Sequence, residues 1–413
     1  MINEYSVRMN YKTVELKKGK EGSAIFGHPW IFSGAIESLP IQIKHGEIVH
    51  IADSQKNIIG TGTYSAYSGI AVRIFDFAKT EINERRLKEK LELAILKRTL
   101  MGYAKDKNTT GYRIIFGEID GLPGLILDKY ENTVVIQIST AGMENLKEPL
   151  INAIKAVLKP KLIIERSDLS IRSEERLPET KEILFGKTKD GLIPFKENGI
   201  DFFADTLEGQ KTGFFLDQKD LRTKIGSLAK NRTVADIFSY TGGAGIYALR
   251  NGAKQVTFMD SSERALEIAK KHVQKNFANK TTLKNCNFIE EDAFTYTGSI
   301  KNLQFDMVLL DPPALIKSQR DAENGKKAYH FLNRAALRMI QDNGIFCSSS
   351  CSHFLSEEDF TFLLRRAAKQ AGVTLHTLYS VHQSPDHPTS INFPESKYLK
   401  GFIFLVRRDP LLS

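Results

Sequence analysis

The stretch that most constrains this chain is residues 233–260, where two strand-like runs flank a glycine-rich turn. Residues 233–238 are apolar and β-branched and contain Asp236, and Gly242, Gly243 and Gly245 follow in the turn. Residues 245–250 then have the pattern of a helix, and a second strand over residues 255–259 ends at Asp260. This order predicts a βαβ unit with a nucleotide pocket at its carboxyl edge.

The chemistry of such a pocket follows from its residue types. Glycines between a strand and a helix let the backbone approach a ligand closely. An acid at the end of the second strand can accept hydrogen bonds from ribose hydroxyls, so an adenosine-bearing cofactor is expected. Residues 243–248 also fit the loose G-x-G-x-x-G/A pattern of dinucleotide enzymes, and the stretch alone therefore leaves the cofactor open.

Length and composition bound the remaining possibilities. The 413 residues suit two to three domains, and 41% apolar with 26% charged residues is typical of folded globular protein. No run of about 18 apolar residues occurs, and residues 1–22 lack the apolar core of a secretory signal. We therefore expect no membrane association and a cytoplasmic location. The three cysteines, Cys286, Cys347 and Cys351, lack the spacing of a zinc site, so no metal is predicted.

The charge balance favours a polyanionic partner. The chain carries a formal net charge of +9, with basic clusters over residues 12–20 and 85–90. Such clusters can meet RNA phosphates, or they can be solvated surface. The second cluster lies in a predicted helix over residues 84–100, where we expect a buried face made of Leu87, Leu91, Ile95 and Leu100.

Two smaller units precede the nucleotide-binding unit. Residues 7–76 are short alternating runs broken by glycine, which predicts a small all-β module. Its Trp30, the only tryptophan, either stacks on a base or anchors the small core, and the second role is favoured. Residues 81–190 combine the basic helix with strands over 111–139, a helix over 143–158 and a strand over 162–165. Glu118 and Asp120 are interpreted as turn residues and residues 165–179 as mostly loop.

A segment just before residue 233 suits a lid or floor of the nucleotide pocket. Residues 199–222 contain Gly209, Gly213 and two phenylalanines and lead into a helix over residues 217–228. Phe215 could stack on the ligand, and Gln218 or Arg222 could donate hydrogen bonds. Packing within the fold is the alternative role for each.

The chain beyond residue 260 continues the alternation of helices and strands. Strands are predicted over residues 287–290, 305–310 and 345–349, and helices over 263–277, from about 328 to 341, and from 356 onwards. Ser261 or Ser262 would cap the first helix. Polar residues follow each strand, at Asp292, at Asp311-Pro312-Pro313 and at residues 350–354. The carboxyl edge of a doubly wound sheet is where ligands bind.

Seven strings, in order along the chain, resemble the RlmI family of class I S-adenosylmethionine-dependent methyltransferases: HPWIFSGAI, GEIDGLPGLILDKY, GQKTGFFLDQKDLR, DIFSYTGGAG, LDPPAL, SSSCSHF and PESKYLKGF. The resemblance implies a PUA-like RNA-binding pseudobarrel over residues 1–78 and an α+β middle domain over 79–195. It implies a Rossmann-like methyltransferase domain, a doubly wound and mainly parallel α/β sheet, over 196–413. Members of this family form 5-methylcytosine in 23S ribosomal RNA, and the family implies that a homodimer can form.

The resemblance also implies a set of site residues, with S-adenosylmethionine as cofactor. Asp311 would open the target-base pocket. Asp236 within its strand and the Asp-Pro-Pro motif both favour methyl transfer over nicotinamide chemistry. The cofactor set is Asp236, Tyr240, Thr241, Gly242 and Gly243 for its amino-acid portion, Asp260 and Ser261 for its ribose, and Asp292 with Ala293 for its adenine. Phe215, Gln218 and Asp311 complete the set.

Cytosine chemistry gives a reason to look for a thiol. Carbon 5 is a poor nucleophile until a group adds at carbon 6, and a thiolate does this well when positive charge or a helix amino terminus favours its ionisation. Cys351 lies shortly before the helix that begins near Ser356, and we predict that it is the nucleophile. Cys347 and Cys286 are interpreted as buried apolar residues.

One departure from other RNA cytosine methyltransferases leaves the last step open. Many place a second cysteine after the fourth-strand proline, whereas this chain has Asp311-Pro312-Pro313-Ala314. Asp311 or His353 is then the candidate base for the carbon-5 proton. The alternatives are methylation of an exocyclic amine, for which the aromatic residue after Asp-Pro-Pro is missing, and a noncatalytic RNA-binding or assembly factor.

Overall fold

The structure is a computed structural model that describes residues 11–277, 280–300 and 304–408. Residues 7–10 of the predicted all-β module lie outside these ranges. The chain folds into two compact units. Within the described ranges, the first comprises residues 11–199, 204–214 and 386–396, and the second comprises residues 200–203, 215–385 and 397–408.

The first unit begins with a six-stranded sheet in the order β2-β6-β5-β4-β1-β3. Strands β1 and β4 are parallel, and the other neighbours are antiparallel. Val14, Val49, Ile51, Val72 and Ile74 form its core, which confirms the predicted all-β module. Its elements are β1 (Lys12–Leu16), α1 (Gly22–Ile25), β2 (Trp30–Phe32), β3 (Ile36–Ser38), β4 (Ile48–Ala52), β5 (Ile58–Tyr64) and β6 (Ile70–Asp76).

A five-stranded sheet in the order β11-β10-β9-β8-β7 follows, and three helices accompany it. Helix α2 packs on α4, and Leu87 and Leu91 are fully buried as predicted. Leu100 is 80% exposed, so its predicted burial is wrong. It comes five residues after Ile95, which turns it about 140° further around the helix. The elements are α2 (Glu84–Leu100), β7 (Gly111–Phe116), β8 (Leu125–Tyr130), β9 (Thr133–Ile138), α3 (Ala141–Asn145), α4 (Lys147–Leu158), β10 (Leu162–Ser167) and β11 (Thr180–Phe185).

The interpretation of residues 165–179 as mostly loop is wrong at its start. Strand β10 extends to Ser167, and Arg166 is buried, where it donates to Asp168 and to the carbonyl groups of Thr206 and Gly209. Arg172 is also buried and pairs with Glu144 at 2.9 Å. Charged side chains are buried only when they are paired, as Arg166 and Arg172 are here. The high charge of this segment was therefore wrongly interpreted as a sign of an exposed loop.

Trp30 and the two turn acids have structural partners. The Trp30 indole donates to Glu118 at 2.9 Å, and the Arg73 guanidinium lies 5.5 Å from the ring centroid. Asp120 is buried and accepts from Arg98 at 2.7 Å. These contacts support the anchoring role of Trp30, and Asp120 is a buried ion-pair partner in addition to a turn residue.

The second unit is built on a seven-stranded sheet in the order β16-β15-β14-β17-β18-β20-β19. The first five strands are parallel, and β20 is antiparallel to both of its neighbours. The chain order reverses at β14, which places a topological switch point between β14 and β17. The strands of this sheet are β14 (Thr233–Ile237), β15 (Gln255–Asp260), β16 (Cys286–Glu290), β17 (Phe305–Leu310), β18 (Ile340–Ser350), β19 (Val373–Val381) and β20 (Lys400–Arg408). Two strands outside it, β12 (Leu192–Glu197) and β13 (Ile200–Asp205), precede them along the chain.

Two sets of helices accompany this sheet. Helix α6 packs against α5 and α7, and α10 packs against α9 and α11. Helix α10 begins six residues before the predicted start and ends at Arg338, and strand β18 begins five residues before its predicted start. The helices are α5 (Lys219–Leu228), α6 (Gly243–Arg250), α7 (Glu263–Asn276), α8 (Lys280–Lys284), α9 (Ala293–Ser299), α10 (Ala322–Arg338) and α11 (Glu357–Ala371).

Candidate active site

The turn after β14 is organised by Asp236. Its buried carboxylate accepts a hydrogen bond from the Gly245 amide at 2.8 Å, across the start of α6. Burial raises the pKa of Asp236 to about 7; the Gly245 hydrogen bond opposes this, and the carboxylates of Asp311 and Asp260 add to it. The carboxyl therefore changes charge near neutral pH, at the edge where the sheet order reverses.

The glycines of this turn allow close packing of α6 on β15, in addition to the expected close approach of the backbone to a ligand. A Cβ at Gly242 would lie 2.9 Å from the Phe258 ring, and a Cβ at Gly245 would lie 2.2 Å from it. Gly242 also has a left-handed backbone with φ of 79°. Since any larger residue would push α6 away from β15, these two glycines set the close helix-to-sheet contact of the βαβ unit. Gly243 is the first residue of α6.

Asp260 ties the end of β15 to the same turn. One carboxylate oxygen accepts from the Tyr240 amide at 2.8 Å and the other from the Ser262 amide at 3.0 Å. Ser262, rather than Ser261, caps α7 by accepting from Ala265. Asp260 is partly exposed, which leaves its outer edge accessible.

Asp292 sits at the end of the next strand, in a capping position. One of its oxygens accepts from the amides of Phe294 and Thr295, both at 3.0 Å, at the start of α9. Its neighbour Ala293 is buried. The exposed carboxylate is thus fixed in direction by the helix that it caps.

The segment before β14 reaches the same edge. The Phe215 ring packs edge-on against Tyr240 with 5.1 Å between centroids, and the Phe215 carbonyl accepts from the buried Arg222. The Gln218 amide donates to Asp311 at 2.6 Å. Gln218 is therefore held by a site residue. Arg222 stabilises the backbone of its own segment, and its positive charge counteracts the rise in the pKa of Asp236.

Asp311 lies between two neighbouring elements. It follows β17, and besides the Gln218 amide it accepts a hydrogen bond from the Ser349 hydroxyl of β18. Two fixed donors hold the carboxylate in one orientation at the carboxyl end of the strands.

Cys351 directly follows β18 and is partly exposed, flanked by the fully buried Ser350 and Ser352. The Tyr329 hydroxyl lies between these two serine hydroxyls, 2.9 Å from Ser350 and 3.0 Å from Ser352. Lys400 is the cross-strand partner of Ser350, and its ammonium donates to the Ser352 carbonyl at 2.9 Å. The backbone on both sides of the thiol is therefore held by buried polar groups.

Lys400 and Tyr329 are site residues that sequence reasoning missed. Burial lowers the pKa of the Lys400 ammonium, and negative charge on Cys351 acts in the opposite direction. Lys400 is 7% exposed and directly precedes the uncharged run over residues 401–406 of β20, and a cation at the head of that run was the available signal. Tyr329 lies on α10 and left no such signal.

The other two cysteines have different surroundings. Cys347 is buried within β18, and burial raises the pKa of its thiol far above the ordinary value, as expected of an apolar residue. Cys286 is only partly buried; burial raises its pKa to about 11, and its thiol donates to the Thr282 carbonyl. His353 is exposed, 5.9 Å from the Tyr398 ring between centroids.

Two family models match the chain. A PUA-like domain matches residues 14–77, and an S-adenosylmethionine-dependent methyltransferase model matches residues 169–403. A curated relative from Yersinia pseudotuberculosis, Ribosomal RNA large subunit methyltransferase I, is 34% identical over 94% of this chain and 97% of its own. The chain belongs to this family of S-adenosylmethionine-dependent methyltransferases.

Solved structures agree on the fold of this methyltransferase. A Streptococcus mutans protein classed with the SAM-dependent methyltransferases superimposes with a TM-score of 0.81 at 21% identity, covering 95% of this chain and all of its own. A methyltransferase structure in complex with SAH gives the same values. The predicted fold class, with its PUA-like module and Rossmann-like domain, is confirmed, and the cofactor is S-adenosylmethionine.

The turn of the methyltransferase fits this cofactor. Among the described residues, no group bonds the buried hydroxyls of Ser239 and Thr241, although the buried Asp236 beside them is bonded. Buried polar atoms of this kind require a partner, and the amino and carboxylate groups of the cofactor's amino-acid portion would supply one. Ser239 was missed by the sequence reasoning and belongs with Thr241.

Neither metal-binding clusters nor membrane spans occur in the part of the chain that the structure describes. No three His, Cys, Asp or Glu side chains within residues 11–277, 280–300 and 304–408 gather into a group that could hold a metal ion. In the same ranges, no helix combines the length and apolar character that crossing a bilayer requires.

Proposed function

We propose that this methyltransferase forms 5-methylcytosine in 23S ribosomal RNA through a covalent bond between Cys351 and carbon 6 of the base. The observation that carries the proposal is the position of Cys351, a partly exposed thiol at the carboxyl end of β18, one strand from the Asp311 carboxylate. Methylation of an exocyclic amine needs no thiol at this position.

The chemistry assigns Cys351 the first step. Its thiolate would add to carbon 6, and the electron pair of the carbon 5–carbon 6 double bond would move to carbon 5. S-adenosylmethionine supplies an electrophilic methyl group when bound. After carbon 5 has gained the methyl group, a base removes the carbon-5 proton, the double bond reforms and the Cys351 thiolate leaves carbon 6.

Lys400 would favour the thiolate form of Cys351. A buried ammonium is costly unless negative charge lies close to it, so the pair stabilises the ionised state of both groups. The Tyr329 hydroxyl and the flanking serines would keep the thiol in one position, because their hydrogen bonds fix the backbone around it.

Asp311 is the favoured base for the carbon-5 proton. Its carboxylate is held by Gln218 and Ser349, and that orientation suits a group that must meet one atom of a bound base. His353 lies on an exposed turn and is the second candidate. Ala314, and not a cysteine, is the residue directly after Pro313, so a thiol cannot serve from that position.

The cofactor would lie along the carboxyl edge of β14, β15 and β16. Ser239, Thr241 and the Tyr240-to-Gly243 turn would hold the amino-acid portion together with Asp236. Asp260, with Ser261 beside it, would hold the ribose, and Asp292 with Ala293 would meet the adenine. Phe215 would close over the pocket from the preceding segment.

Ribosomal RNA as the substrate rests on three observations. The curated relative acts on ribosomal RNA of the large subunit according to its name, a PUA-like domain matches residues 14–77, and the net charge is +9. A cytoplasmic location follows for an enzyme of ribosomal RNA, and a homodimer remains a prediction from the family.

The decisive experiment compares Cys351→Ala with Cys286→Ala as a matched control. Transfer of labelled methyl groups to 23S ribosomal RNA from cells lacking this protein is measured, together with a gel-stable adduct on RNA containing 5-fluorocytidine. That base blocks removal of the carbon-5 substituent and should trap the covalent complex.

We expect Cys351→Ala to lose both transfer and adduct, and Cys286→Ala to keep both. Methyl transfer retained by Cys351→Ala would refute cytosine carbon-5 chemistry and favour an exocyclic amine as the target. Absence of transfer by the unaltered protein on any ribosomal RNA would favour a noncatalytic RNA-binding factor.

A further inference from the structure

The outer side of helices α10 and α11 carries a band of positive charge. On α10, Lys327, Arg334 and Arg338 are spaced by seven and four residues, which places them on one face over roughly 16 Å. Arg365, Arg366 and Lys369 lie on α11, which packs against α10. We call these six residues the basic band.

The band is not neutralised by neighbouring acids. None of its six residues forms an ion pair with a carboxylate among the described residues. Arg334 and Arg338 donate only to Gln370, at 3.2 and 3.4 Å. The adjacent Lys326 differs, since it pairs with Asp359 at 3.3 Å and Glu323 at 3.9 Å. The positive charge of the band therefore remains available to an external anion.

Two clefts flank α10 beside the band. The first, of about 480 Å³, is lined by Phe331, Arg334, Arg338 and Arg408. The second, of about 400 Å³, is lined by Lys327, His330, Phe362 and Arg366, and also by Glu323 and Asp359, the two acids that pair with Lys326. The His330 Nε2 atom is enclosed, and no described group bonds it. Burial, followed by the charges of Arg366 and Arg334, lowers the pKa of His330, as expected where cationic groups converge.

Aromatic rings hold several of the guanidinium groups. Arg365 and Arg366 lie 5.2 and 5.9 Å from the centroid of Phe362, which is 48% exposed. Arg334 lies 6.0 Å from the centroid of Phe331. Guanidinium planes supported by aromatic rings suit contacts to phosphates and to unstacked bases, and they keep less side-chain freedom than isolated arginines.

A helix macrodipole explains part of this pattern only. Cations are favoured in the last turn of a helix, where Arg338 and Lys369 lie. The other four cations lie further from the helix ends, where this effect has faded. A merely solvated face would interleave both signs of charge, as the α2 pairs Arg85–Glu89 and Lys88–Glu84 do.

We propose that the basic band binds the phosphate backbone of the RNA substrate, on the α9–α11 side of the methyltransferase domain and away from the base pocket. The inference rests on RNA being the substrate, but not on cytosine carbon 5 being the target. Helix α10 starts after the Asp311 loop and runs back along the domain. An RNA held there would extend from the active-site edge over this helix.

The test is a variant in which four exposed members of the band are neutralised: Lys327→Gln, Arg338→Gln, Arg365→Gln and Arg366→Gln. Its matched control neutralises four exposed cations near α6 and α7, with the same loss of charge: Arg250→Gln, Lys254→Gln, Lys271→Gln and Lys275→Gln. Binding of a 23S ribosomal RNA fragment to the full chain is measured over a series of salt concentrations. Unchanged S-adenosylmethionine affinity and melting temperature establish that each variant is folded.

We expect the band variant to bind RNA at least tenfold more weakly and the control variant less than threefold. Each lost phosphate contact lowers the slope of log K against log salt by about 0.7, so the band variant should lose up to about 3 from this slope. Equal weakening in both variants would overturn the proposal in favour of a nonspecific effect of net charge. An unchanged slope and affinity in the band variant would show that RNA does not bind the basic band. The assay measures RNA binding and not methyl transfer. A failure of this proposal can therefore be told apart from a failure of the carbon-5 assignment.

Discussion

Replacing Gly245 by alanine should separate the methyltransferase helix α6 from strand β15. An added Cβ would lie 2.2 Å from the Phe258 ring, whereas ordinary contact begins at 3.4 Å, so a shift of 1.2 Å is needed. Phe258 cannot easily yield, because it is fully buried and stacks on Phe288 at 5.1 Å. The Gly245 amide would then move away from the Asp236 carboxylate.

The expected magnitude follows from two opposing effects. Overpacking a buried contact costs about 1–3 kcal/mol, and a contact as short as 2.2 Å calls for the upper part of this range, about 2–3 kcal/mol. Alanine regains up to about 1 kcal/mol in a helix relative to glycine. A net loss of about 1–2 kcal/mol in the free energy of unfolding should lower the melting temperature of a domain of this size by about 2–8 °C.

Gly298 provides the matched control. It lies near the end of α9 in the same unit, and an added Cβ would meet only Phe331, at an ordinary 3.7 Å. Gly298→Ala should leave the melting temperature unchanged or raise it slightly. The assay is thermal unfolding with calorimetric titration of S-adenosylmethionine, whose affinity should fall for Gly245→Ala alone. Equal melting temperatures and cofactor affinities for both variants would refute the packing role of Gly245.

Two further predictions concern charge. Because the folded-state pKa of Asp236 is about 7, above the ordinary 3.8, the folded state binds this proton more tightly than the unfolded chain, and wild-type stability should fall as pH rises from about 4 to about 7. Asp236→Asn should lack that fall, so its melting temperature relative to wild type should rise from pH 5 to pH 8, and parallel profiles would contradict this. Lys400→Met should lower kcat with little change in KM for RNA. It should also move the acidic limb of the pH–rate profile to higher pH, because the Cys351 thiolate loses a stabilising positive charge, and Lys400→Arg should partly restore both. An unmoved limb would show that Lys400 acts only in packing.

The local chemistry of the chain was enough to predict most elements. Residues 305–310 form a strand with the predicted limits, because the apolar run over residues 307–310, followed by Asp311 and Pro312, is typical of a strand buried in a parallel sheet. Errors arose where tertiary contacts override local pattern. Strand β10 continues through charged residues because the Arg166 side chain finds buried partners far along the chain. The helix ending at Leu100 keeps its last leucine 80% exposed, because none of the elements in the described ranges covers that side.

For the candidate site, the position of the aspartates could be predicted from the sequence, but their roles could not be established from it. Asp236, Asp260, Asp292 and Asp311 each lie at or just beyond the carboxyl end of a strand, and the strand pattern alone placed them at one edge, since parallel strands share their direction. Their roles in binding and catalysis stay predictions that the experiments above address.

The sequence by itself determined the fold class, the methyltransferase family and the edge of the sheet that holds the polar residues, because these depend on periodicity and on motifs contiguous along the chain. Only the tertiary structure decided that Lys400 lies beside Cys351, that Gly245 packs on Phe258, and that cations of α10 and α11 form one band. These contacts join residues that are distant along the chain or lie on separate elements. Their side chains meet only after strand order, helix packing and cross-strand register are set, and no local pattern encodes that geometry.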